Sequence, residues 1–165
     1  MAYATPSTVT AGDAVTAAAQ NILVNNDIAL APFFSVWTSF TPTITNVVVG
    51  NGTHASKYLQ VGRLVIASFD FTFGSTSSIS GAPVFSLPVA ALAGAGFITS
   101  QCVFLDAGTN RYAGMCELDA STQVVCQSLL TNESYGRAAA PNATNPFVWT
   151  TSDRINVGIV YQSAS

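Results

Sequence analysis

Hydrophobic and polar positions follow one rhythm before residue 32 and another after it. An Ala-rich stretch follows Thr10-Ala11-Gly12-Asp13, runs to Leu30 and stops at Pro32, and with Asp13 or Thr16 as caps it predicts one helix. Val15, Ala18, Ile22, Asn25 and Ala29 keep a three-four spacing along it, with Asn25 the one polar member of the line. Two heptads are marginal in water alone. The helix therefore packs on its own domain or bundles with copies from neighbouring subunits, and its scarce charge (Asp13 and Asp27) favours burial between chains.

After Pro32 the pattern alternates with a period of two and is broken by Gly, Asn, Ser and Pro every ten or so residues, which predicts an antiparallel sandwich or barrel. The expected strands are Val36–Thr41, Ile44–Val49, His54–Val61, Arg63–Phe73, Val84–Leu87, Phe97–Asp106, Arg111–Leu118, Gln123–Leu129 and Asp153–Gln162. Val61-Gly62-Arg63 predicts a hairpin, with Gly62 supplying the positive dihedral of a tight turn. In the strand that follows, Val65, Ala67, Phe69, Phe71 and Phe73 form the expected core face.

At 165 residues the chain holds one domain, or one domain with a short appendage. Only 8% of residues are charged and the net charge is −3. The five basic residues (Lys57, Arg63, Arg111, Arg137, Arg154) are scattered, so no cationic stripe can follow a phosphate backbone, and nucleic-acid binding is not expected. The charge-free stretch from Phe71 to Leu105 is interrupted by Ser75–Ser80, Pro83, Pro88 and glycines, so no membrane-spanning helix is expected. The amino terminus lacks the basic and apolar regions of a secretory signal, which predicts synthesis without export by that route. Soluble monomeric sandwiches blunt their edge strands with charge, lysine above all, and this chain has one lysine. Cover by identical copies is the economical alternative.

Candidate chemistry is thin. The single histidine, His54, follows Asn51-Gly52-Thr53 at the start of a strand, where a turn or surface role is ordinary, and no Ser-His-Asp set can be assembled around it by spacing. Asp106, Asp119 and Asp153 sit where turn-forming acids are expected, and no spacing unites the remaining Asp70, Glu117 and Glu133 into a glycosidase pair. Gly94-Ala95-Gly96 lacks the context of a phosphate loop. Cys102, Cys116 and Cys126 lack metal-ligand spacing and read as buried apolar side chains, one disulfide being the alternative; no metal and no cofactor is expected. Tyr58, Tyr112, Tyr135 and Trp149 could stack on sugars, although each also suits ordinary packing. These residues favour a protein that is not an enzyme.

Five blocks in order carry a resemblance. They are Trp37-Thr-Ser-Phe-Thr-Pro-Thr43; Gly50-Asn51-Gly52-Thr53; Tyr58 through Val65; Phe73-Gly74-Ser75-Thr76 with Phe85-Ser86-Leu87-Pro88-Val89; and Asn145-Pro146-Phe147-Val148-Trp149 leading through Asp153 into the last strand. Together they resemble the C-terminal β-sandwich of tailed-bacteriophage minor tail proteins and short fibres, and Thr8–Asp13 with the helix is similar to their leader. The resemblance implies a mainly-β chain: residues 1–32 as an attachment and trimerisation segment bearing one short helix, and 33–165 as an antiparallel jelly-roll-like head. It further implies a homotrimeric virion component made in the host cytoplasm, held to other tail or capsid proteins by its N-terminal segment. Some such heads bind host-surface glycans. No shaft repeat is present, which leaves both a tail-fibre or tail-tip protein and a capsid decoration or head fibre open. A carbohydrate-active enzyme is the minor alternative.

Overall fold

The computed structural model describes residues 14, 16–30, 37–94, 99–130 and 137–164. The chain divides into two compact units, 1–36 and 37–165. In the first, α1 (Ala17–Leu30) begins where Thr16 caps it. Thr16 Oγ1 accepts from the Ala19 amide at 3.2 Å, satisfying a donor that the first turn leaves free, and its carbonyl accepts the first helical bond from the Gln20 amide at 3.0 Å. Asp13, the other candidate cap, lies outside the described residues. No described helix is long and apolar enough to cross a membrane.

The second unit is mainly β and sandwich-like. Its strands are β1 (Thr38–Phe40), β2 (Ile44–Val48), β3 (Thr53–His54), β4 (Ser56–Val61), β5 (Leu64–Thr72), β6 (Ser78–Ser86), β7 (Thr99–Asp106), β8 (Asn110–Ala120), β9 (Gln123–Leu130), β10 (Arg137–Ala139) and β11 (Arg154–Gln162). They pair antiparallel in the order β1-β4-β5-β11-β7-β8-β9-β6-β2, with β3 also on β5 and β10 on β9. The two ends of that path, β1 and β2, are consecutive in the chain and joined only by Thr41-Pro42-Thr43, so the sheet must curl until its ends nearly meet. Phe69 on β5 and Phe85 on β6, far apart in strand order, accordingly touch with ring centroids 5.4 Å apart. That contact spans the core.

Local chemistry explains most boundaries. Val61 pairs with Leu64 across Gly62-Arg63, and Gly62 at φ 57 is the sole positive-φ residue of that two-residue turn, as a II′ geometry requires. On β5, Val65, Ala67, Phe69 and Phe71 are buried, and Phe73 continues the same face. Three differences from the sequence pattern stand out. Ala55 splits the expected strand at 54–61 into β3 and β4, its amide donating instead to the Asp70 carbonyl at 2.9 Å. β6 starts at Ser78 rather than Val84, because Ile79 and Pro83 turn inward with Phe85. The ladder between β2 and β6 slips between Thr45 and Val47, and Pro83 falls in that gap, where no amide donor is needed. β10, three residues long, has no counterpart in the alternation.

The blocks that carry the resemblance interlock. Asn51 Oδ1 accepts from the Thr76 amide at 3.0 Å and hydroxyl at 2.9 Å, and Thr76 Oγ1 accepts from the Asn51 amide at 2.9 Å. A Cβ on Gly74 would stand 2.2 Å from Asn51 Oδ1, so the two loops can close only over glycine there. Phe73 in turn stacks on Trp149 at 4.7 Å, and Trp149 packs on Phe147 at 4.4 Å.

Candidate functional site

The register Ser39↔Lys57 and Phe40↔Ser56 places β1 beside the β3–β4 junction. Ser39, Phe40, Thr41, His54, Ala55, Ser56 and Lys57 there line an open groove of about 470 Å³. His54 Nδ1 and the buried Ser56 Oγ have no hydrogen-bond partner among the described residues. Burial lowers the His54 pKa below its ordinary 6.5, which keeps the ring neutral, with one donor and one acceptor, at neutral pH. Beside the groove, Lys57 Nζ lies 5.2 Å from the Trp37 ring centroid, and Trp37 is 39% exposed. The only lysine thus sits on β4, paired with Ser39 of β1 on one side and Ser68 of β5 on the other. Hydroxyls, a neutral imidazole, an ammonium and an exposed aromatic face offer both donors and acceptors with a stacking surface, a combination suited to a polyhydroxylated ligand.

No carboxylate lines the groove. Asp70 aligns through Asn156 and Val103 with Ala113, three strands away, and Glu117 lies four residues further along β8. At the usual strand spacing and rise the two acids are roughly 20 Å apart, well beyond the ~5–9.5 Å of paired glycosidase carboxylates. Glu117 Oε1 instead accepts from Gln127 Nε2 at 2.6 Å and Asp119 Oδ2 from Gln123 Nε2 at 2.6 Å on the outer face.

The proposed glycan aromatics are half-buried where described. Tyr58 meets Phe40 edge-on at 5.7 Å, Tyr112 meets Phe147 at 5.1 Å, and Trp149 donates from Nε1 to the Asn142 carbonyl at 3.0 Å. The structure brings Tyr112 and Trp149 together through Phe147 and leaves Tyr58 with Phe40. Tyr135 lies outside the described residues. Trp37, which sequence reasoning did not single out as a ligand contact, is the aromatic most open to solvent among them.

On α1, Ala18 and Asn25 are exposed and Ile22 is half-buried, while Val15 and the Ala29 side chain lie outside the described residues. Ala19 and Ile22 share a face with the buried Asn26. The opposite face carries Ala17, Asn21, Val24 and Ile28, all exposed, in a four-three-four spacing. Val24 and Ile28 keep 47% and 49% of their surface in solvent, a large apolar exposure for a helix this short.

The cysteines converge. Cys116 pairs directly with Cys126 across β8 and β9, and Cys102 on β7 stands opposite Gly114, two residues from Cys116 on the same inward face. All three are free and buried, with sulfurs mutually within 4.8 Å and the Cys116 and Cys126 pair 3.3 Å apart. A Cβ on Gly114 would come within 2.3 Å of Cys102 Sγ. As a thiol Cys102 faces the Met115 and Gln127 carbonyls at 3.5 and 3.7 Å. Hydrogen bonds from Cys116 and Cys126 lower the Cys102 pKa against the opposing effect of burial. Cys116 is shifted above the ordinary thiol range, first by its interaction with Cys102, and Cys126 is shifted up first by burial.

Comparison with protein-family models, with curated proteins and with solved structures finds no match to this chain.

Proposed function

We propose that the chain is a non-enzymatic structural protein of a bacteriophage particle, a self-associating tail-fibre or tail-tip subunit whose β head attaches to the host surface. The observation that carries this reading is the solvent-facing stripe Ala17, Asn21, Val24 and Ile28 on a helix assigned to a unit separate from the head. A single helix gains nothing by holding such a stripe in water, whereas three copies can bury it, with Asn21 as the polar residue that sets register. This reading moves the seam from the line through Val15, Ala18, Ile22, Asn25 and Ala29 to the neighbouring stripe through Ala17, Asn21, Val24 and Ile28. The low charge of the whole chain and the five-block resemblance support the same reading. In the head, the groove beside Trp37 supplies contacts for a host glycan, each weak alone and strengthened by repetition in a trimer.

Sedimentation of the full chain at micromolar concentration tests the assembly. A trimer is expected, and a well-behaved single subunit overturns the proposal. Glycan arrays test the head: binding that falls at least tenfold in Trp37→Ala is expected, and no binding by the intact trimer removes the attachment role. Antibody-labelled micrographs of virions then separate a tail position from a capsid decoration.

A further inference from the structure

We propose that Cys102, Cys116 and Cys126 form a three-sulfur site for a soft thiophilic cation, Cu(I), acquired as the chain folds. Three adjacent strands deliver one sulfur each to a single point on the core face, a coincidence that requires the β7–β8 and β8–β9 registers together. Metal–sulfur bonds of about 2.3 Å place three sulfurs in a plane about 4 Å from one another. The Sγ atoms, 3.3 Å apart in one pair and within 4.8 Å throughout, bracket that separation. Gly114 is compatible with the cluster. A glycine weakens a strand interior, yet any side chain there would collide with Cys102 Sγ as well as with the Gln127 carbonyl oxygen and the Phe104 ring, so the bare backbone leaves room for the third sulfur together with its neighbours.

The donor set selects the ion. Soft thiolates favour Cu(I), Zn(II) or iron–sulfur clusters. A closed zinc site wants four ligands and a cluster four cysteines, while the group found among the described residues holds three cysteines and no histidine or carboxylate. Cu(I) is satisfied by few sulfur ligands and needs no water, which suits a centre sealed beneath the sheet. Loading displaces thiol protons to solvent and changes no oxidation state. The same centre would also tie β7, β8 and β9 together, so metal binding contributes to folding. This inference stands independently of the particle role.

The test refolds the reduced full chain without oxygen in the presence of Cu(I) and a competing Cu(I) chelator. One copper per chain retained against the chelator is expected, with X-ray absorption showing a sulfur-only shell of about 2.3 Å. Cys102→Ala and Cys126→Val should each weaken retention by at least roughly 100-fold, beyond the 10–100-fold typical of changes outside the ligand sphere. Gly114→Ala, which displaces a ligand without removing one, should weaken it less. No copper retained by the intact chain, zinc retained in preference with a nitrogen or oxygen ligand, or a Cys116 to Cys126 disulfide in freshly purified protein would each overturn the proposal. Stoichiometry and coordination of the unaltered chain decide the matter even if a variant fails to fold.

Discussion

Replacing Asp153 with alanine removes a carboxylate that holds two loops at one end of the head. Asp153 is fully buried; Oδ1 accepts from the Ala107 amide at 2.8 Å, and Oδ2 accepts from the Thr150 amide and, at 3.3 Å, from the Thr150 hydroxyl. Hydrogen bonds to a charged acceptor contribute ~1.5–3 kcal/mol each. Ala107 and Thr150 are themselves exposed, so water can reach the stranded donors in part, which places the two backbone bonds at the low end. The expected loss is about 3 kcal/mol. For a unit of this size that corresponds to a fall in Tm of ~12 °C. Asp153→Asn keeps one acceptor oxygen and turns an amide toward the other donor, so it should fall between the alanine variant and the parent. Calorimetry gives the shift, and hydrogen exchange should show the Ala107 and Thr150 amides exposed first. A shift under ~2 °C in Asp153→Ala, with those two amides still protected, would refute the assignment of the carboxylate as the tie.

Three further outcomes are expected. Val24→Asp and Ile28→Asp should each shift the assembly toward single subunits in sedimentation, since a charge would be buried without a partner, whereas Ala18→Asp should leave it intact; the reverse ranking would return the seam to the other face. Asn46 adopts φ 65 and donates from Nδ2 to the Ala82 carbonyl at 2.9 Å; alanine and glycine both lose that bond, but only alanine is strained, so Asn46→Ala should be ~1–2 kcal/mol less stable than Asn46→Gly in urea. Because burial depresses the His54 pKa, the unfolded chain binds the proton more readily. Its contribution is therefore complete above the ordinary 6.5 and is lost as pH falls through the depressed value, and His54→Gln should flatten this part of the stability profile.

Alternation made the inner face of β5 legible, because residues at every second position either carry a ring or do not, and Gly62 marked its turn. The start of β6 was hidden for the opposite reason: Ser78-Ile79-Ser80-Gly81 has little strand preference, and Pro83 argues against a strand unless the ladder is known to be interrupted there. The cysteine cluster lay between these cases. Cys116 and Cys126 are equidistant from Ser121, and Cys102 and Gly114 from Gly108, so two hairpins folded about those residues bring all three sulfurs together. Motif spacing counts along the chain and misses ligands that meet across it. The groove could not be read at all, since it depends on β1 lying against β4, and no local pattern fixes which strands become neighbours. On the helix, spacing supports more than one apolar line, and burial of Asn26 rather than Asn25 decides which side faces away from solvent.

β11 is the last strand in chain order, yet it sits at the middle of the sheet, paired along Arg154–Gln162 with β5 on one side and along Arg154–Val160 with β7 on the other. During translation the ribosome therefore completes every other strand before the one that joins the two halves. Until Gln162 clears the exit tunnel, β5 and β7 each present an unpaired edge, and the rings of Phe69, Phe71 and Phe104 lack the Ile155, Val157 and Ile159 side chains destined to lie beside them. Chains truncated before Arg154 should be cut readily by protease, and chains that include Gln162 should resist. The head thus closes only after β11 has emerged, when the strand that joins its two halves can pair on both sides.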